Sequence, residues 1–291
     1  MSCPDCFRGS VHAHTEATGT IETVHGIRTY IAGGSDPSRS KSAILYLPDG
    51  FSLKLVNNKI LADKYASMTG CRVLIPDVVY RGGMVPEMLD KMEYIMDPLP
   101  KWTVGGVFGK FFTTLSILPT LIPFLLFGHP DKVYDKILAY ARAMKAELPE
   151  GGKLGVAGFC WGGWPSSKLC AETATPGGSE RLIDAQFNGH PSYIVKTPEM
   201  VVEAIKKFKV PYCSAVAADD RQFNEKVAAD MEAKVKQEAG ESGEGGCIYE
   251  FRIYKGCKHG FCVRAKSNTE NMDGYNAAVK QAAEWFNKYL N

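Results

Sequence analysis

The stretch K-L-G-V-A-G-F-C-W-G-G-W-P-S-S-K-L, residues 153–169, decides the fold. Lys153 to Ala157 reads as a short, mostly apolar strand. From about Gly163 the chain can run as a helix. Between them lies Gly158-Phe159-Cys160-Trp161-Gly162, a G-x-C-x-G turn. A nucleophile placed on a sharp strand-to-helix turn sits in a strained backbone conformation. Only small residues two before and two after it let strand and helix approach. Such a turn lifts the Cys160 thiol above the sheet and leaves the Trp161 backbone N–H free to meet an oxyanion. The competing reading is a buried structural cysteine beside glycines that merely end a strand. The rest of the chain decides between them.

Upstream, Gly19 to Ala32 alternates as a hairpin with His25-Gly26 at its turn. Ser42 to Leu47 is a compact apolar strand ended by Pro48-Asp49-Gly50-Phe51. Asn58 to Met68 is an amphipathic helix stopped by Gly70. Cys71 to Ile75 is the next buried strand. Downstream, strands are expected at Leu182–Phe187, Pro211–Ala217 and Cys247–Tyr254, alternating with helices at Pro198–Lys207, Phe223–Gln237 and Met272–Tyr289. A helix over Asp131–Glu147, with Asp131 as its N-cap, leads into the elbow strand. This rhythm predicts a mostly parallel sheet with helices on both faces.

The rhythm breaks at residues 78–130, read as a cap or loop insertion in a single domain spanning 1–291. Val78 to Pro100 is irregular. Trp102 to Phe127 is strongly apolar and long enough to suggest a membrane span. Lys110, Pro119, Pro123 and the Gly105-Gly106 pair, set inside an α/β pattern that resumes at once, argue against stable membrane insertion. A cap over the carboxyl ends of the strands, or a subunit contact, is expected instead.

Composition sets the remaining bounds. The 291 residues carry 34 Lys+Arg and 32 Asp+Glu, a net charge of +2, which argues against a nucleic-acid surface. Met1 to Ser10 is polar and lacks the apolar core of a signal peptide. Nine cysteines, an odd number scattered along the chain, suggest reduced thiols and a cytoplasmic setting. Cys3 and Cys6, with His12 and His14, form no convincing zinc set: there is no second C-x-x-C, and H-x-H splays its rings apart.

In α/β-hydrolases the nucleophile, acid and histidine follow one another in chain order, each after a strand of the same sheet. Here Cys160 sits at the elbow, Asp219-Asp220 end the next-to-last strand, and His259 follows the last. His190 follows another strand in N-G-H-P and is placed to line the site.

The runs G-F-C-W-G-G at 158–163, A-A-D-D-R-Q-F at 217–223 and K-H-G-F-C-V-R at 258–264 resemble the dienelactone hydrolase family, its fungal members most of all. The resemblance covers residues 20–290. It implies an α/β-hydrolase fold with Cys160 as nucleophile, His259 as general base and Asp220, in preference to Asp219, as orienting acid. Gly50 and Trp161 would supply the oxyanion-hole N–H groups. Asp49 and Phe51 would border the substrate. Asp49 stands where bacterial members carry a longer glutamate. Arg81 and Arg264 resemble arginines that bind a substrate carboxylate, although Arg264 lies one residue further from His259 than in bacterial members.

A thiolate attacks activated esters well and amides poorly, because a tetrahedral intermediate expels the thiolate before a poor leaving group. The expected substrates are therefore small-molecule lactones or activated esters, cleaved without metal or organic cofactor by a monomer or homodimer. A broad carboxylesterase or thioesterase for apolar esters, and a non-catalytic small-molecule binder on the same fold, are the alternatives.

Overall fold

The computed structural model describes residues 8–11, 16–34, 40–98, 103–243, 245–266 and 269–291. Cys3, Cys6, His12, His14 and Trp102 lie outside the described residues.

Eight strands form one sheet in the order β1-β2-β4-β3-β5-β6-β7-β8. The hairpin is β1 (Thr20–Val24) and β2 (Ile27–Ala32). His25 and Gly26 both have positive φ at its turn, as a two-residue connection that follows strand twist requires. Then come β3 (Ala43–Leu47), α1 (Val56–Thr69) and β4 (Arg72–Pro76). The α1 helix ends at Gly70 in the left-handed conformation, its N–H bonded to the Ala66 carbonyl. Two helices, α2 (Glu87–Met96) and α3 (Val104–Phe127), precede α4 (Tyr134–Ala146). The elbow strand is β5 (Leu154–Phe159), followed by α5 (Gly163–Leu169), β6 (Ala185–Gly189), α6 (Pro198–Lys206) and β7 (Tyr212–Ala217). The chain closes with α7 (Glu225–Ala239), β8 (Tyr249–Tyr254), the single turn α8 (Phe261–Arg264) and α9 (Glu270–Leu290).

From β3 to β8 every pairing is parallel; only β1–β2 and β2–β4 are antiparallel. The central strands β3, β5, β6 and β7 are buried along their whole length. In β3, β5 and β7 that follows from largely apolar runs covered on both faces, whereas β6 buries the polar Gln186 and Asn188. The helices α1 and α9 pack together against one side, while α4, α5 and α6 succeed one another across the other.

Three local readings change. Val78–Pro100 is not irregular throughout: Met88, Leu89 and Met92 are the buried face of α2, whose first turn carries Glu87 and Asp90. Asp131 does not cap α4. It sits in a short 3-10 turn over Pro130–Val133, where the His129 ring accepts from the Asp131 N–H, and α4 starts afterwards. The apolar stretch forms one helix of 24 residues, unbroken at Pro119 and Pro123 and capped by Thr103, whose hydroxyl accepts from the Gly106 N–H.

Candidate active site

The turn after β5 has the geometry its spacing predicts. Cys160 adopts φ 49°, the left-handed region that costs a non-glycine residue free energy. A Cβ on Gly158 would lie 2.2 Å from Ser166 Oγ, and one on Gly162 only 2.0 Å from the Leu47 carbonyl oxygen. The two glycines are thus what lets α5 and β3 close on the turn. The Gly162 N–H donates to the Pro48 carbonyl, 3.1 Å away, tying the elbow to the loop after β3. Beneath it, Ser166, Asn188, Ser167 and Tyr212 form a buried chain of hydrogen bonds of 2.6–3.0 Å. A fully bonded buried network holds the floor of the turn in one arrangement.

Asp220 and His259 meet across the ends of β7 and β8. His259 Nδ1 lies 2.6 Å from Asp220 Oδ2, with both side chains inaccessible to solvent. The other carboxylate oxygen accepts from the Gln222 N–H at 2.7 Å. Asp219 is exposed, and its backbone N–H donates to the Cys257 carbonyl. Burial alone would raise the Asp220 carboxyl, but the His259 charge and the N–H donors hold it below the usual range. Burial alone would likewise lower His259, yet Asp220 and then Cys160 push the imidazole well above its ordinary value. His259 Nε2 is buried and makes no hydrogen bond among the described residues, while Cys160 is close enough to help raise the imidazole.

Two neighbours of the thiol carry no motif of their own. Ser192 Oγ is 3.5 Å from Cys160 Sγ, and the Ser192 N–H donates to the Cys160 carbonyl at 2.8 Å. His190 is fully buried and meets His259 edge to face, ring centroids 4.9 Å apart. Burial and the His259 charge hold it well below its ordinary value, so it stays neutral. Both sit in the N-G-H-P-S loop after β6. The sequence placed His190 near the site; Ser192 was legible only as the second residue after it.

The remaining candidate residues divide by exposure. Gly50 and Trp161 flank the turn, and neither spends its backbone N–H on a loop, cap or strand-end bond among the described residues. Asp49 is fully buried: its Oδ1 accepts from the Phe51 N–H at 3.1 Å and from Asn58 Nδ2 at 2.9 Å. Its Oδ2 pairs with Arg264 Nη1, and both side chains are inaccessible. Burial pushes the Asp49 carboxyl up, and Arg264 pulls it back. The Arg264 guanidinium also stacks over the buried Phe51 ring and donates to the Arg8 carbonyl. Arg264 and Phe51 are thus both buried, and Arg264 also lines a cavity of about 160 Å³ with His259, Gly260 and Phe261. Arg81 is exposed, with φ 54° and its guanidinium over the Tyr80 ring.

The helix α3 reaches this region through its C-terminal end, beside Met84 from the segment after β4. Phe124 is buried, and a Cβ on Gly50 would meet its ring at 3.1 Å and Met84 Cε at 3.0 Å. Trp161 Nε1 donates to the Gly128 carbonyl at 2.5 Å. A cavity of about 190 Å³, bounded by Lys54, Tyr80, Arg81, Met84, Pro119, Pro123 and Phe124, lies between α3 and the segment after β4. The expected cap over the strand ends is thus limited to the last turns of α3. Phe111, Phe112 and Leu115 point into solvent.

A mostly parallel eight-stranded sheet with a strained turn after its fifth strand defines an α/β-hydrolase. Residues 27–290 match the dienelactone hydrolase family, and the chain belongs to it. It is 28% identical to the hydrolase tropI of Talaromyces stipitatus, over all of this chain and 96% of that protein. It is 27% identical to the hydrolase pyvD of Aspergillus violaceofuscus, covering 98% and 96%. Esterase 2 of Thermogutta terrifontis, phosphorylated by paraoxon, shares the fold at TM-score 0.59 and 14% identity, covering 96% of this chain and 97% of that one. The protein is accordingly a hydrolase of the kind that acts on lactones or carboxylic esters.

Proposed function

We propose that the protein hydrolyses lactones or activated carboxylic esters through a Cys160–His259–Asp220 triad and a thioester acyl-enzyme. The observation that carries this reading is the buried 2.6 Å His259–Asp220 contact beside a cysteine at positive φ. Asp220 fixes the ring with Nδ1 inward, so Nε2 takes the Cys160 proton. The thiolate adds to the ester carbonyl, and the Gly50 and Trp161 N–H groups bind the oxyanion. Collapse of the intermediate breaks the C–O bond, and the imidazolium returns its proton to the alkoxide or enolate. Water, deprotonated by His259, then cleaves the thioester and regenerates the thiol. The cycle consumes one water and needs no metal or organic cofactor.

A broader carboxylesterase or thioesterase activity on apolar esters is favoured by one observation, the cavity walled by Met84, Pro119, Pro123 and Phe124. Its charged members are Arg81 and Lys54, and the Lys54 ammonium is already bonded to the Arg81 and Gly83 carbonyls. Reduced thiols support a cytoplasmic setting: Cys71, Cys170, Cys213, Cys247, Cys257 and Cys262 are all free and buried.

The test is a panel of p-nitrophenyl esters and enol lactones with Cys160→Ala as control. Wild type should hydrolyse members of the panel. Quenched reactions should show an acyl adduct on the peptide bearing Cys160, and the variant should lose both while keeping its circular dichroism. Full activity in Cys160→Ala would remove the mechanism, and an inert wild type that still binds lactones would leave a non-catalytic binder.

A further inference from the structure

The helix α3 is amphipathic in the reverse sense. Its inward face, buried or half-buried, carries Gly106, Lys110, Thr113, Ile117 and Phe124. Lys110 Nζ turns back to the carbonyls of Ile95 and Asp97 at the end of α2. At 3.6 residues per turn the opposite face is centred on Val104, Phe108, Phe111, Leu115, Ile122 and Leu126, all between 45% and 75% exposed. Val107, Phe112 and Leu125 widen it, so the apolar arc spans roughly 140°. With about 150–250 Å² for each large side chain, the exposed apolar area is on the order of 800–1,000 Å². The largest apolar patch on an ordinary monomer is about 300–600 Å².

We infer that this face seats the protein on a lipid surface, with α3 lying in the plane of the membrane. Three observations select lipid over other occupants. The first is topology. β4 precedes the helix and β5 follows it, and only β3 separates them in one sheet. Both ends of α3 therefore return to the same side, and the helix cannot cross a bilayer although it is long and apolar enough to do so.

The second is width and chemistry. A second copy pairing helix to helix would cover a narrow seam of a and d positions and leave Val107, Phe112 and Leu125 wet. The arc also offers no side-chain donor or acceptor. Thr113 and Thr114 bond back to the carbonyls of Gly109 and Lys110, and Ser116 Oγ donates to the Thr113 carbonyl. A protein interface carries about one hydrogen bond per 100–200 Å², whereas acyl chains need none.

The third is charge. Residues 104–127 contain no Asp or Glu. Cations stand at the helix's C-terminal half: Lys54 and Arg81 border the cavity beside Pro119 and Pro123, and exposed Lys132 lies over the exposed Phe127 ring. An apolar face flanked at one end by cations suits the acyl and anionic headgroup layers of a membrane surface.

The test uses the full chain with 100-nm vesicles of phosphatidylcholine, with and without phosphatidylserine, in flotation gradients. Phe108→Ser/Phe111→Ser/Phe112→Ser removes apolar surface without touching the triad. Lys132→Glu removes one of the cations. Wild type should float with both vesicle types, more with phosphatidylserine. The triple variant should lose at least tenfold of its bound fraction while hydrolysing p-nitrophenyl acetate as wild type does. Lys132→Glu should lose only the phosphatidylserine increment. A wild type that stays at the bottom of both gradients overturns the inference. So does one that light scattering shows to be a dimer dissolved by the triple variant, without flotation; the occupant would then be a second copy.

Discussion

Replacing Arg264 by Met separates two accounts of that residue. The Asp49–Arg264 pair is inaccessible at both side chains, and Asp49 keeps Asn58 and the Phe51 N–H as its other partners. Removing one member of a buried pair leaves an uncompensated charge and costs about 3–5 kcal/mol. At about 2.1 cal/mol/K per residue the unfolding entropy of this chain is on the order of 0.6 kcal/mol/K, so Tm should fall by roughly 5–8 °C. Arg264→Met leaves Asp49 as the unpaired member. Burial already pushes its carboxyl up, and without the guanidinium it should rise further. A carboxyl raised in the folded state contributes most at low pH and loses that contribution as pH rises through the folded value. The deficit of Arg264→Met should therefore be smaller at pH 5 than at pH 8. Asp49→Asn/Arg264→Met, which buries no charge, should recover much of the loss, and a double-mutant cycle by urea unfolding reads the coupling. If Arg264→Met instead lies within about 1 kcal/mol of wild type, and raises KM tenfold for esters bearing a carboxylate only, the buried-pair argument fails. Arg264 would then bind substrate, as the family resemblance implied.

Asp220→Asn should lower kcat by about 10²–10⁴-fold, because His259 loses the partner that fixes its tautomer, while exposed Asp219→Asn should stay within a few-fold of wild type; steady-state kinetics on one ester decides. Gly162→Ala must displace backbone, since the new Cβ would meet the Leu47 carbonyl oxygen at 2.0 Å. It should destabilise by about 1–3 kcal/mol in urea and lose activity by more than its stability loss explains. The raised His259 lends stability that is complete below its unfolded pKa of about 6.5 and fades as pH rises through the folded value. The lowered Asp220 lends stability that is complete above about 3.9 and fades as pH falls through its folded value. The Tm deficit of His259→Gln should thus be greatest between about pH 4 and 6.5 and shrink on either side; a constant deficit across pH 4–9 would refute the linkage.

Much of the fold was written locally. Strands from β2 to β8 announce themselves as short apolar runs, and helices such as α1 and α6 by Gly70 at one end and Pro198 at the other. The elbow was legible because its steric demand falls on Gly158 and Gly162, two residues either side of Cys160. The preference for Asp220 over Asp219 came from the family resemblance, and Asp220 is the buried one of the two. The Asp49–Arg264 pair could not be read: the partners lie 215 residues apart, and their meeting depends on the loop after β3 and the α8 turn packing together. Ser192 was hidden for a similar reason, because its distance to the thiol depends on how the β6 loop folds back onto Cys160.

The helix α3 shows a different limit. Its periodicity says that one face is apolar, and in most helices of globular proteins that face meets the core. Periodicity carries no direction, however. The direction comes from what the other face can do. Here Lys110 finds two carbonyl acceptors at the end of α2, and Thr113 and Thr114 return their hydroxyls to the helix itself. The small, self-satisfied face can therefore be buried without unpaired polar groups, and Gly109 lets Tyr94 of α2 come close. Ile117 and Phe124 are the large side chains the helix buries outright, with Leu121 half-buried against the core, and Phe124 reaches the Gly50 loop. The segment is anchored at one end by the site and along its length by polar packing, which is why its aromatic side is free to meet a surface outside the molecule.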